Sequence, residues 1–161
     1  MKIAVLSDTH LPARLQNLPG AVYEACADAD LIIHAGDIEE KSVIEDLERF
    51  APVKAVHGNM DGMDTYQRYP AKLILHLEGF IVALTHGSGA SYGIRNRIKE
   101  KFKSEEPHII IHGHTHEYFW KKENGIWFLN PGAVAGSKGR RSMAILTLVN
   151  GKEPEAVKVA F

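Results

Sequence analysis

KIAVLSDTH, residues 2–10, decides how this chain is read: the apolar run Ile3 to Leu6 ends abruptly in Asp8 and His10. The same transition recurs twice. LIIHAGD, residues 31–37, ends in Asp37, and VKAVHGNMD, residues 53–61, ends in Asn59 and Asp61. Short apolar runs spaced by longer amphipathic segments predict strands at residues 2–7, 31–35 and 53–57 with helices between them. Pro19 suits a first helical turn ahead of Ala21, Val22 and Ala25, and Val43, Ile44, Leu47 and Phe50 recur at helical spacing. Strands joined by connections of this length are predicted to pair in parallel.

Beyond residue 70 the pattern changes. Ala71 to Leu77 and Phe80 to Thr85 are separated only by Glu78 and Gly79, which predicts a hairpin and a turn to antiparallel pairing. Ile94, Ile98 and Phe102 stand four apart on a basic amphipathic helix, followed by the apolar strand Ile109 to Ile111. Asn124-Gly125 predicts a turn joining residues 117–122 to 126–129, and Asn150-Gly151 one joining 143–149 to 156–161.

Chemistry collects just after the strands. Asp8 and His10 follow the first, Asp37 the second, Asn59 and Asp61 the third, His86 the strand ending at Thr85, and His112, His114 and His116 the strand ending at Ile111. Ligands of open α/β sheets bind beyond the carboxyl ends of strands, so five segments deliver O and N donors to one rim. Taken singly, Asp8 or Asp37 reads as a turn former. Gly113-His114-Thr115-His116 is different: histidines two apart on an extended segment share a face, and their protonated rings repel unless a metal replaces the protons. The donors are imidazole, carboxylate and amide oxygen without a thiolate, a set that suits Mn, Fe, Co, Ni or Zn.

Composition sets the outer limits. A chain of 161 residues, 45% hydrophobic and 24% charged, is expected to form one domain, residues 1–161, able to bury roughly 70% of its unfolded surface without disulfides or a structural metal. A formal charge of −1 argues against nucleic acid or an anionic membrane as the main partner. The single cysteine, Cys26, fits a reducing compartment, and the absence of a signal-peptide core or membrane span leads to a cytoplasmic expectation. A homo-oligomer is compatible with the sequence, which does not specify one.

The ordered motifs Asp8-Thr9-His10, Gly36-Asp37, Gly58-Asn59-Met60-Asp61, His86-Gly87 and Gly113-His114-Thr115-His116 resemble those of the calcineurin-like metallophosphoesterase superfamily. Asn130-Pro131-Gly132 extends the likeness toward its small prokaryotic phosphodiesterase branch. The resemblance implies a four-layer α/β/β/α sandwich of two mixed sheets and a centre of two divalent metal ions, manganese favoured. It implies that Asp8, His10 and His116 bind one ion, that Asp37 bridges, and that Asn59, His86 and His114 complete the second. It also implies in-line attack on a small phosphodiester by a metal-bridging hydroxide. Charge supports that set: two divalent ions against Asp8, Asp37 and a hydroxide leave about one positive charge for the substrate, which an aspartate in place of Asn59 would cancel.

One position departs from the pattern. Many superfamily members carry a histidine directly after the motif asparagine, where it protonates the leaving oxygen. This chain has Met60, which cannot transfer a proton, as is also so in the branch it resembles. Asp61 either orients a water or a metal ligand, a catalytic role, or caps the turn at Gly62. His34 and His57 read as core or supporting groups, His76 and His108 as structural or exposed, and His112 as a neutral bystander. Arg140 and Arg141 are candidate contacts for a substrate phosphate. Two other readings stand beside the enzyme: a non-catalytic protein-binding scaffold, because the same fold serves as a retromer subunit, and a dinucleotide loop at Gly87-Ser88-Gly89 and Gly93. The latter lacks the fingerprint spacing and does not follow the first strand.

Overall fold

The computed structural model describes residues 1–161. In chain order the elements are β1 (Lys2–Leu6), α1 (Gly20–Cys26), β2 (Leu31–His34), α2 (Ser42–Leu47), β3 (Val53–Ala55), α3 (Met63–Arg68), β4 (Lys72–Leu77), β5 (Phe80–Thr85), α4 (Ile94–Lys101), β6 (Ile109–Ile111), β7 (Phe119–Glu123), β8 (Ile126–Asn130), β9 (Ser142–Thr147) and β10 (Glu155–Ala160). They form two five-stranded sheets, ordered β10-β9-β1-β2-β3 and β4-β5-β6-β8-β7. The parallel trio β1-β2-β3 follows from the helical crossovers, and β9 returns antiparallel between β1 and β10.

Alternation along the strands explains the layering. Ile3 and Val5 of β1 meet Val82 and Leu84 of β5, Ile109 and Ile111 of β6 and Leu129 of β8 between the sheets. Ala4 and Leu6 face the other way, onto Val22 and Cys26 of α1 and Ile44 and Leu47 of α2. On the opposite outer face, Ala83, Ile110 and Phe128 pack against Ile94 and Ile98 of α4 and against Phe102. The expected α/β/β/α sandwich of mixed sheets is what the chain forms. Strands this apolar on both sides have to be covered twice, and both covers are present.

Three local expectations change. The second sheet is not purely antiparallel: α4 carries the chain across, so β5, β6 and β8 run parallel, with antiparallel β4 and β7 at the edges. Glu78-Gly79 and Asn124-Gly125 do make two-residue turns, with positive φ at all four residues. Asn150-Gly151 does not, because Thr147 already pairs with Glu155 and Leu148 leaves the hairpin, buried, with its N–H on the Met1 carbonyl. Helix α3 was not expected: in MDTYQR only Thr65 is buried, so no apolar stripe announces it. No helix is long and apolar enough to cross a membrane.

Candidate metal centre

The parallel strands β1, β2, β5 and β6 deliver their carboxyl ends to one edge, where the sheets are tied together. Asp8 N–H donates to the Gly36 carbonyl (3.0 Å), Gly113 N–H to the His86 carbonyl (3.1 Å), and His114 N–H crosses between sheets to Asp8 Oδ2 (3.2 Å). Leaving a strand abruptly while aiming a side chain back at the rim requires unusual backbone. Asp8, His10, Asp37, His114 and His116 have φ of +55°, +45°, +55°, +71° and +61°. Such values are uncommon outside glycine and cluster where geometry serves function. Glycine then permits close approach: a Cβ at Gly58 would stand 2.5 Å from the Asp37 amide nitrogen, and one at Gly36, whose φ is +92°, 2.8 Å from His86 Cβ.

Two overlapping groups of donors result. Asp8, His10 and His116 each offer one atom within 4.8 Å of the others, as do Asp8, Asp37 and His86. Asp8 Oδ1 lies 3.0 Å from His116 Nε2, 3.9 Å from His86 Nε2 and 4.0 Å from His10 Nε2. Asp37 Oδ2 lies 3.2 Å from His86 Nε2 and 3.7 Å from His10 Nε2. Both carboxylates therefore stand between His10 and His86. The resemblance gave the shared position to Asp37; the geometry gives Asp8 an equal claim.

A cation fits this cluster for a reason internal to it. Asp8 Oδ1, His10 Nε2 and His86 Nε2 are buried without a well-aligned hydrogen bond, since their contacts with one another and with His116 and Asp37 lack its geometry, and a ligand that met them would recover part of that cost, about 1–3 kcal/mol for each group left wholly unpaired. The far ring nitrogens are held: His10 Nδ1–H donates to Glu39 Oε1 (2.9 Å) and His86 Nδ1–H to the Ala35 carbonyl (2.7 Å), which aims each Nε2 at the cluster. Charge agrees. Burial works to raise the Asp8 carboxyl, but hydrogen bonding to His116 and the charges of His86 and His116 overcome it and keep the group below the usual carboxylate range. Asp37 is likewise lowered against burial, through His86, the Met60 N–H and His10. Burial opposes protonation of His86, yet Asp37 and Asp8 raise its pKa above the ordinary value. The carboxylates thus hold positive charge in the cluster, and a divalent ion is the stronger form of it.

The other expected residues take varied positions. Asn59 and His114 sit beside this group and bond to each other: His114 Nδ1 is 3.0 Å from Asn59 Oδ1, and its Nε2 is 2.8 Å from the Gly89 carbonyl. The His114 ring meets His86 edge-on at 5.3 Å. Asp61 belongs to neither donor group. Its two oxygens accept the Glu39 N–H (2.5 Å) and the Gly58 N–H (2.6 Å), so the side chain ties those two loops together. Met60 donates its N–H to Asp37 Oδ1 (2.8 Å) and leaves its side chain exposed. Arg141 spends Nε on the Gly136 carbonyl, while Arg140 is exposed on the same loop. His34 is buried beneath the site between Thr9 Oγ1 and the Gly36 N–H, and burial pushes its pKa down to about 3. Burial likewise brings His112 to about 4.

Glu39 is the residue that sequence reading missed. It also accepts the Ala13 N–H and has a φ of +75°. Its partner His10 is 29 positions away, so no local spacing could have paired them. Asn130 acts similarly on the histidine loop, donating to the Gly113 carbonyl (2.8 Å) and Thr115 Oγ1 (3.0 Å) while accepting the Gly132 N–H (2.9 Å).

A layered fold with carboxylates and imidazoles gathered at one edge defines a metal-binding α/β/β/α protein. Residues 1–151 match the model of the calcineurin-like phosphoesterase superfamily domain, and the chain belongs to that superfamily. A probable metallophosphoesterase from Methanothermobacter thermautotrophicus is 33% identical over 159 residues, covering 97% of this chain and 90% of the relative. Phosphodiesterase MJ0936 of Methanocaldococcus jannaschii is 29% identical over 150 residues, 84% and 86% of the two chains. Among solved structures, wild-type Vps29 from Entamoeba histolytica complexed with zinc has a TM-score of 0.80 at 22% identity over 99% of each chain, a likeness of fold.

Proposed function

We propose that this phosphoesterase-family chain is a phosphodiesterase that works with two divalent cations, manganese favoured, on a small phosphodiester in the cytoplasm. The observation that carries the reading is the convergence of buried imidazole and carboxylate atoms, Asp8 Oδ1, His10 Nε2 and His86 Nε2 among them without a well-aligned hydrogen bond, in a cluster without thiolates. Asp8, His10 and His116 would hold one ion. Asp37, His86, Asn59 and His114 would hold the other, with a carboxylate shared between them. Cations there would supply hydroxide near neutral pH and neutralise the phosphoryl oxygens.

The chain itself contributes placement. Glu39 and the Ala35 carbonyl fix the His10 and His86 rings, Asp61 fixes the loops that carry Glu39 and Gly58, and Asn130 fixes the histidine loop. Arg140 is free to meet a substrate phosphate from the loop whose Ala135 N–H bonds the Asp8 carbonyl. A scaffold would have no need of these orphaned donors, and the likeness to Vps29 speaks for fold alone.

The test is hydrolysis of bis(4-nitrophenyl) phosphate by protein loaded in turn with Mn, Ni, Co, Fe or Zn, beside Asp37→Asn. Turnover that falls at least about 100-fold in Asp37→Asn while the circular dichroism spectrum is retained is expected. No turnover with any metal would return the scaffold reading.

A further inference from the structure

Next to the metal cluster is a cleft of about 170 Å³, lined by His57, Asn59, Tyr66, His86, Ser88 and Lys101 among others. His86 belongs to both, so the cleft adjoins the cluster. One wall is aromatic. The rings of His57 and Tyr66 lie 3.8 Å apart, centroid to centroid, with 31° between their planes, and Tyr66 remains 44% exposed. Met60 and Met63 add exposed apolar surface on the same segment, at 54% and 75%.

The lining also includes a cation. Lys101, at the end of α4, donates to Thr85 Oγ1 (3.1 Å), and Thr85 Oγ1 donates onward to the Ala71 carbonyl (3.0 Å). Its neighbours are neutralised, Lys72 by Glu105 and Lys103 by Glu100, whereas Lys101 has no carboxylate partner. Burial, with Lys72 nearby, lowers its pKa, as befits an ammonium short of counter-charge. Arg97, one helical turn before Lys101, is committed to the segment that carries Ser88: it donates to the carbonyls of Tyr92, Ser88 and Ala90. An aromatic ring and an unpaired ammonium that line one cleft beside the metal cluster are together complementary to one kind of group.

We propose that this cleft is a subsite for one ester arm of the substrate and selects a planar aromatic ring carrying an anionic substituent, the ring on Tyr66 and the anion on Lys101. The proposal rests on the phosphoesterase reading and sharpens its substrate class. Base-sized rings stacked on exposed aromatic side chains, and anions met by partly desolvated cations, are each worth about tenfold in affinity.

Isothermal titration of the Mn-loaded protein with methyl phosphate, phenyl phosphate and 4-carboxyphenyl phosphate tests it. Affinity is expected to rise about tenfold at each step. Tyr66→Ala should abolish the gain from methyl to phenyl and Tyr66→Phe should keep it. Lys101→Met should abolish the gain from phenyl to carboxyphenyl. Equal affinity for methyl and phenyl phosphate in the wild type, or an equal loss on all three probes in Lys101→Met, would overturn the subsite while leaving the phosphoesterase reading intact. Failure of all three to bind, with Mn still retained, would overturn both.

Discussion

Nδ1 of His10 lies 2.9 Å from Oε1 of Glu39, and that contact decides which face His10 turns toward the metal cluster. Only 14% of the Glu39 side chain is exposed, so its charge is weakly screened and holds the ring in place. Glu39→Gln keeps the shape and removes the charge. Its affinity for Mn is expected to fall about 10- to 100-fold, read by competition with a fluorescent chelator, with the melting temperature of metal-free protein little changed. An unaltered metal affinity would mean that Glu39 serves the Ala13 loop alone.

Metal uptake is expected to proceed in two unequal steps. Asp8, His10 and His116 already converge, whereas His114 has to release Asn59 or the Gly89 carbonyl before it can bind an ion. Breaking one such hydrogen bond is worth about 1 kcal/mol, several-fold in affinity. Equilibrium dialysis with elemental analysis should saturate near two ions per chain, the second weaker. His114→Ala should lose the weaker step. Saturation at one ion in the wild type would contradict the paired centre.

Met60 leaves no acid directly after Asn59, and its side chain is turned to solvent. The rate on aryl esters is therefore expected to fall steeply as the leaving-group pKa rises. Met60→His should recover about 10²- to 10⁴-fold on alkyl leaving groups and little on nitrophenyl ones. A linear free-energy plot for both proteins measures this, and a flat wild-type line would show that another group already donates the proton.

His34 makes stability depend on acid. It is neutral in the fold because burial takes its pKa to about 3, while the unfolded chain protonates it near 6.5. Unfolding thus binds a proton between those values, so stability rises with pH across the window and is lost as pH falls through it, by up to about 1.4 kcal/mol per unit. Urea unfolding in a chelator from pH 7 to pH 4 should show a shallower dependence for His34→Gln, by about one proton. An identical slope would show that His34 exchanges no proton on unfolding.

Much of this was legible because each polar cluster stands at the end of an apolar run, and a strand end points its next residues at a sheet edge whatever the sheet's partners. The layering of two sheets was not in the periodicity and came only through the resemblance, although the unbroken apolar run Ile3 to Leu6 is buried on both faces. What sequence could not show was contact between distant segments. Glu39 pairs with His10 across two strands, β9 returns from residue 142 to lie beside β1, and Tyr66 meets His57 through a helix with a single buried residue. Asp61 was ambiguous for the same reason: its two partners, Gly58 and Glu39, lie on different loops.

The left-handed backbone at Asp8, His10, Asp37, His114 and His116 sets heat resistance against turnover. Each such residue costs on the order of 1–2 kcal/mol that glycine would not. A library screened only for survival of heating would accept glycine first at His114 and His116, which are half-buried, discarding a donor with each gain, whereas Asp8 and Asp37 also hold the His114 and Met60 N–H groups. Its winners would be sturdier copies of the same architecture that no longer hold metal, and a screen meant to improve this protein has to select for both properties at once.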